Sequence, residues 1–225
     1  MVSTILKKLT DFSTNQEVIH QLVELTRPSY QDNTAILERE INHCNEIYLL
    51  YDDSANLIAF FMVNFEKLDN VDSYYLGLSG CRNNLKGMGY AKHLYNTFFR
   101  DCKQKEKELK VKILCWWTTA TPIPYKWFNN NIDGCEPNLN GDLSESGFRL
   151  ISKIGKLKYN QIDINPEIPF ILPRVAEKTT YSEKERLKLE KVKEELKITA
   201  FDKYPIDETK GDRYLMIGYA PDIEL

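Results

Sequence analysis

No run of apolar residues in this chain approaches the roughly 20 needed to cross a bilayer as a helix. The opening MVSTILKKLTDF also lacks the apolar core of a signal peptide. The expectation is therefore a cytoplasmic protein with no membrane partner. Paired cysteines are missing too: Cys44, Cys81, Cys102, Cys115 and Cys135 are odd in number, scattered and form no CxxC. That pattern excludes a disulfide framework or a zinc cluster as the first reading and implies reduced, buried thiols and no metal. Nor is there an excess of positive charge. With 30 Lys and Arg against 33 Asp and Glu, the formal net charge is -3, whereas phosphate backbones demand a concentrated basic face, so nucleic acid is not the expected partner. There is no internal repeat and no low-complexity tract.

What is present is an ordinary globular composition, 42% hydrophobic and 28% charged over 225 residues, enough chain for a real core. Residues 2–9 alternate loosely, as a first strand would. Residues 16–26 place Val18, Ile19, Leu22 and Val23 on one helical face and stop before Pro28. A second helix is expected to start at an Asp32 or Asn33 cap, with Leu37, Ile41 and Cys44 facing inward. The period then changes to two. Residues 47–51, the turn-like DDSAN and residues 57–65 read as a hairpin, with a third strand at 74–78. A long amphipathic helix over 90–109 precedes VKILCWW, which is apolar on both faces like a central strand. A short helix in TTATPIPYKWFNN and strands at 148–154 and 213–219 complete the order. Two insertions interrupt it: a polar loop at 129–146 and an extended, then helical, segment at 165–211. The charged helix in the second, with Leu189, Val192 and Leu196 as a narrow stripe, reads as a solvated element packed by one edge. A homodimer or partner contact is the sharper alternative.

The chemically informative segment runs from the third strand into the long helix, YYLGLSGCRNNLKGMGYAKHLYNTFF. A strand enters a short glycine-containing loop that opens a helix, and this is an anion site in outline. The first-turn N–H groups lack intrahelical partners and the macrodipole adds partial positive charge. Gly87 and Gly89 remove the Cβ atoms that would block close approach. A plain tight turn accounts for a lone GxG equally well. A dinucleotide fingerprint fails, since Gly89 is followed by Tyr90, Ala91 and Lys92 without the third glycine, and no GKS or GKT supplies a Walker loop.

The pattern Asn84-Leu85-Lys86-Gly87-Met88-Gly89, continuing Tyr90-Ala91-Lys92-His93-Leu94, resembles the acetyl-CoA motif [Q/R]-x-x-G-x-[G/A] of the GNAT superfamily of N-acyltransferases, with Asn84 in place of Gln or Arg. The order of elements is similar as well, over residues 2–154 and again at 213–219. The resemblance implies an α/β (α+β) fold of one domain over residues 1–225, with a mixed, mostly antiparallel central sheet flanked by helices and carrying the two insertions. It implies acetyl-CoA as acyl donor and an amine as acceptor, joined in a ternary complex. The backbone of Lys86, Gly87, Met88, Gly89, Tyr90 and Ala91 would hold the pyrophosphate. Leu78, Ser79 and Gly80 would pair with the pantetheine arm like an added strand, with Leu78 and Trp116, Trp117 and Thr118 flanking the opening. Gly147-Phe148 would be the family's step into its sixth strand.

Aminolysis of a thioester needs a neutral amine, a donor to the oxyanion and a proton for the departing thiolate. The family's acid is often a tyrosine on the helix after the fifth strand. Here Phe128 takes that position, and Tyr125, one turn earlier, is the phenol available, either as catalytic acid or as a packing residue. Glu66 and Asp72 flank the loop where the family often places a basic carboxylate, and solvated loop charges are the plain alternative. His20 and His43 look structural, and His93 faces solvent. Cys81 lies near the acyl site but has no histidine at recognisable spacing to activate it. A non-catalytic acyl-CoA-binding or sensing module that kept the fold and lost the acid is the alternative function.

Overall fold

The computed structural model describes residues 4–159, 164–177 and 180–222. Val2 and Ser3 of the expected first strand, and Lys178 and Thr179 of the expected second insertion, lie outside them. Strand β1 (Thr4–Thr10) leads to helices α1 (Gln16–Thr26) and α2 (Asn33–His43). Each helix begins at a side-chain cap: Asn15 accepts from the Val18 N–H and Asp32 from the Ala35 N–H, satisfying donors that a helix start leaves orphaned. Strands β2 (Glu46–Asp52), β3 (Leu57–Leu68) and β4 (Val71–Cys81) follow, then α3 (Tyr90–Leu109), β5 (Leu114–Thr119) and α4 (Pro122–Asn131). The β3–β4 hairpin turns on Asp69 and Asn70, both at positive φ, the geometry that matches strand twist. Next come β6 (Asp133–Glu136), α5 (Glu145–Lys158), β7 (Ile171–Leu172), α6 (Glu183–Leu196), α7 (Thr199–Lys203) and β8 (Arg213–Tyr219).

The sheet runs β1-β2-β3-β4-β5-β8-β6, with β7 on the same outer edge of β8 as β6. Every neighbouring pair is antiparallel except β4 and β5. This is the mixed, mostly antiparallel sheet flanked by helices that the resemblance implies. Alternation along β4 sends Tyr74 and Tyr75 to opposite faces. Tyr74 meets Phe98 of α3 at 5.0 Å between ring centroids, while Tyr75 meets His43 of α2 at 4.7 Å.

Two expectations are corrected. Residues 148–154 are not a strand: they lie inside α5, which Ser144 caps by accepting from the Gly147 N–H. Its buried positions, Gly147, Ile151, Ile154 and Gly155, recur at four, three and one, a helical stripe. Gly147 is therefore no step into a strand. A Cβ there would stand 1.7 Å from Glu136 Oε2, so the glycine lets α5 close against β6. Residues 129–146 are not wholly loop either, since α4 ends and β6 lies within them. The β6 sequence DGCE has too little hydrophobic alternation to be read as a strand.

Phe98 is the centre of the core on the α3 face. It is fully buried, and its ring meets Phe61 at 5.4 Å and Tyr48 at 6.1 Å edge-on, a favoured arrangement of aromatic quadrupoles. Replacing Phe98 by Ala is expected to cost about 3–5 kcal/mol in urea denaturation, and a loss under about 1 kcal/mol would contradict this placement.

Candidate active site

The parallel pairing of β4 with β5 runs from Ser73–Leu114 to Leu76–Trp117 and stops, although β4 continues to Cys81 and β5 to Thr119. The cause lies in β4. Phe61 of β3 faces Ser79 while Val63 faces Leu76, so Met62 alone opposes Gly77 and Leu78. This is a β-bulge, which leaves a residue out of the ladder and bends its strand. Gly77 is required there: a Cβ would stand 2.6 Å from Cys44 Sγ and 2.9 Å from Glu40 Oε2. The result is a wedge between two parallel strands, with the β5-facing edge of β4 unpaired beyond the bulge.

The loop out of β4 ends in the motif glycines. Gly87 and Gly89 have φ of 84° and 86°, values that L side chains rarely tolerate. A Cβ at either would meet nothing within 4 Å, so the nest opens outward. Gly89 caps α3 with no side-chain hydrogen bond, and the first turn has no acidic residue. Orphan N–H groups and the positive end of a 20-residue helix thus face the loop. Met88 is exposed, and Lys86 Nζ lies 3.5 Å from Glu185 Oε1 of α6.

A carboxylate occupies the apex of the wedge. Glu40, only 2% exposed, accepts from the Leu78 N–H at 3.2 Å and from the Tyr75 hydroxyl at 3.3 and 3.4 Å, and pairs with Arg39 at 2.7 Å. A narrow cavity of about 90 Å³ follows the wedge, bounded by Leu78, Ser79, Trp117, Thr118, Tyr30 and Tyr181 among others. A roomier one of about 440 Å³ opens on the α2 side, against His43, Trp116, Lys158 and Tyr159. Arg39, Glu40, Tyr75 and Thr118 line both, so Glu40 stands where the two meet.

Electrostatics divide these groups by role. Burial lowers the pKa of His43, outweighing the opposite pull of Glu40 and Glu66, and keeps its imidazole neutral. Burial pushes the Tyr159 phenol up to about 12, and Thr118 hydrogen-bonds it. The Tyr95 hydroxyl of α3 sits 2.8 Å from Ser79 Oγ, and burial pushes it up to about 12 as well. Both phenols hold their protons at neutral pH. Lys158 pairs with Glu66 at 2.5 Å and lies 5.8 Å from the Trp116 ring centroid, and the buried Trp116 Nε1 has no acceptor among the described residues.

The structure lines the wedge with Leu78, Ser79, Trp117 and Thr118, while Gly80 follows on β4 and Lys86, Gly87, Met88, Gly89, Tyr90 and Ala91 form the turn and the start of α3 further along the chain. It does not bring Tyr125 to the wedge. Tyr125 is fully buried, donates to the Asn138 carbonyl at 2.8 Å and packs edge-on against Phe201 and Tyr214. Glu66 lies within β3 opposite Ser73, five residues before Leu78 on β4, and is engaged by Asn64 and Lys158. Asp72 pairs with Lys67 near the hairpin turn, and His93 is exposed. Burial pushes the Cys81 thiol up, away from thiolate chemistry. Glu40, Tyr75, Tyr181 and Glu185 were not singled out by the sequence. Glu40 had a legible signal, since it falls on the same helical face as Leu37, Ile41 and Cys44, an acid within an apolar stripe.

No protein-family model and no curated protein matches the chain. Among solved structures, the fold is similar to that of the GNAT family N-acetyltransferase YhbS from Escherichia coli in complex with CoA, at 13% identity over 60% of this chain and 70% of that one, TM-score 0.43. It is also similar to the ribosomal-protein-S18-alanine N-acetyltransferase from Escherichia coli, at 8% identity over 99% and 97%, TM-score 0.45. A third is the catalytic domain of Tetrahymena GCN5 histone acetyltransferase in complex with coenzyme A, at 14% identity over 56% and 74%, TM-score 0.41. Overlaps of this extent decide neither activity nor substrate.

The neutral His43 gives a pH prediction. Its folded pKa lies below the unfolded value, so its contribution to stability is full above about 6.5 and falls as the pH drops below that. Thermal unfolding of His43→Gln against wild type from pH 7.5 to 5 is expected to show the variant losing less stability on acidification. Parallel pH profiles would contradict a neutral imidazole.

Proposed function

We propose that this chain is an acyl-CoA-dependent N-acyltransferase that moves an acetyl group from acetyl-CoA to an amine by direct attack in a ternary complex. The observation that carries this reading is the wedge: parallel strands that part at a β-bulge, with free backbone on one lip, followed along the chain by a helix N-terminus with two positive-φ glycines. An extended amide-bearing arm ending in a diphosphate has the shape and hydrogen-bonding needs of that edge and nest.

In this reading the backbone at residues 86–91 holds the diphosphate and residues 78–80 the pantetheine amides. The thioester carbonyl takes the Leu78 N–H, which then serves as oxyanion donor. Glu40, released from Leu78, accepts a proton from the amine arriving through the α2-side cavity. The C–N bond forms, the C–S bond breaks, and the thiolate takes a proton from the Ser79–Tyr95 hydroxyl pair. Tyr125 is assigned to the framework and Glu66 to holding Lys158. The donor must also part Glu185 from Lys86 and move Tyr181, which narrows the wedge. The engaged hydroxyl of Tyr125 and the phenyl ring of Phe128 favour the second reading, an acyl-CoA-binding module without turnover.

Calorimetry with acetyl-CoA and a turnover assay on an amine panel separate these readings. Wild type is expected to bind saturably, and Gly87→Glu, Gly89→Glu, which puts two carboxylates into the nest, to lose binding while still folded. Glu40→Gln is expected to keep binding and to lower kcat by about 10²–10⁴. Binding without turnover on any amine supports the module, and absence of binding overturns both.

A further inference from the structure

A further cavity is not part of the wedge. It measures about 610 Å³ and lies between α6, the start of α4, α7 and the chain leading into β8. It adjoins the wedge only through Ala120 and Tyr181, which line both. None of the chemistry above uses it.

Two of its lining side chains each hold one buried polar atom without a partner. Glu208 accepts from the Tyr181 N–H at 2.9 Å through Oε1, but its Oε2 is buried without a partner. Arg186 Nε is likewise buried and unpartnered, and no ion pair engages Arg186 among the described residues. A carboxylate oxygen and a guanidinium N–H left without partners in one lining carry an uncompensated desolvation cost. Asp207 and Asp212, also in the lining, are already committed. Asp207 is bonded to Thr209 and Lys210, and Asp212 to the Arg174 and Asp207 N–H groups. Glu190 and Lys193 are exposed at the rim and opposite in sign. Phe201, Leu189 and Ile206 supply an apolar wall.

We propose that this cavity is a second ligand site, for a small zwitterion of the free amino acid type with an apolar side chain. The ligand carboxylate meets the Arg186 fork, whose planar donors suit it. The ligand ammonium donates to Glu208 Oε2, and the side chain packs on Phe201, Leu189 and Ile206. A phosphate dianion fits less well, because Glu208 and Glu190 would oppose it. The site requires no acyl-CoA chemistry and stands whether or not the wedge takes a donor.

Calorimetry of the full chain, with no CoA compound present, tests this with L-leucine, L-methionine and L-phenylalanine as probes. Phenylalaninamide, lacking the carboxylate, and N-acetylphenylalanine, lacking the ammonium, are the controls. At least one free amino acid is expected to bind saturably at or below about 1 mM, with both controls silent. Arg186→Gln and Glu208→Gln are each expected to weaken that binding roughly tenfold or more. Glu208→Gln keeps an oxygen for the Tyr181 N–H, and unchanged melting curves would confirm that both variants fold. No saturable binding by wild type, equal binding of either control, or undiminished binding in both folded variants would overturn the proposal.

Discussion

The backbone N–H of Leu78 needs a partner. The bulge in β4 takes Leu78 out of the ladder, and β5 has parted from the strand by that point. A donor shielded from water and left unpaired costs about 1–3 kcal/mol. Glu40 meets that need from α2, and much of the surrounding structure follows. Gly77 must lack a side chain so that α2 can approach. Tyr75 and Arg39 supply the further hydrogen bonds and charge that a carboxylate 2% exposed demands. One amide and one carboxylate thereby stand together where the narrow wedge joins the broader cavity.

The frame was legible where a single period ran long. Helices at 16–26 and 90–109 and the strand at 213–219 stand at the boundaries read from sequence, because capping, amphipathic spacing and continuous apolarity agree there. Residues 148–154 misled because FRLISKI alternates well enough for a strand. Its helical register shows only when Ser144 and the stripe through Gly147 and Gly155 are read together. Strand β6 was hidden by its composition, with pairing to β8 outweighing weak local preference.

The candidate site divides in the same way. The nest was readable because positive φ at Gly87 and Gly89 is a local property. The bulge was not, since it depends on the register between β3 and β4, which no local pattern in YYLGLSGC records. Tyr125 drew notice as a phenol in a familiar place, but its hydroxyl is turned to Asn138 by α4 packing on α7 and β8. The second insertion folds back so that Tyr181 bridges to Tyr30 and Glu185 reaches Lys86. Helix α6 has no buried residue and half-buries Leu189, Val192 and Leu196, as a solvated element packed by one edge does, while the insertion's contacts to Tyr30 and Lys86 are long-range ones that composition does not encode.

Nuclear magnetic resonance of protein labelled with ¹⁵N-leucine observes the Leu78 amide directly. On titration with acetyl-CoA, the Leu78 cross-peak is expected to shift saturably as a thioester carbonyl replaces Glu40. The Glu40→Gln variant should begin from a different Leu78 shift and still respond. Saturable movement of other leucine cross-peaks with Leu78 unmoved would mean that acetyl-CoA binds away from the bulge, and would contradict the account.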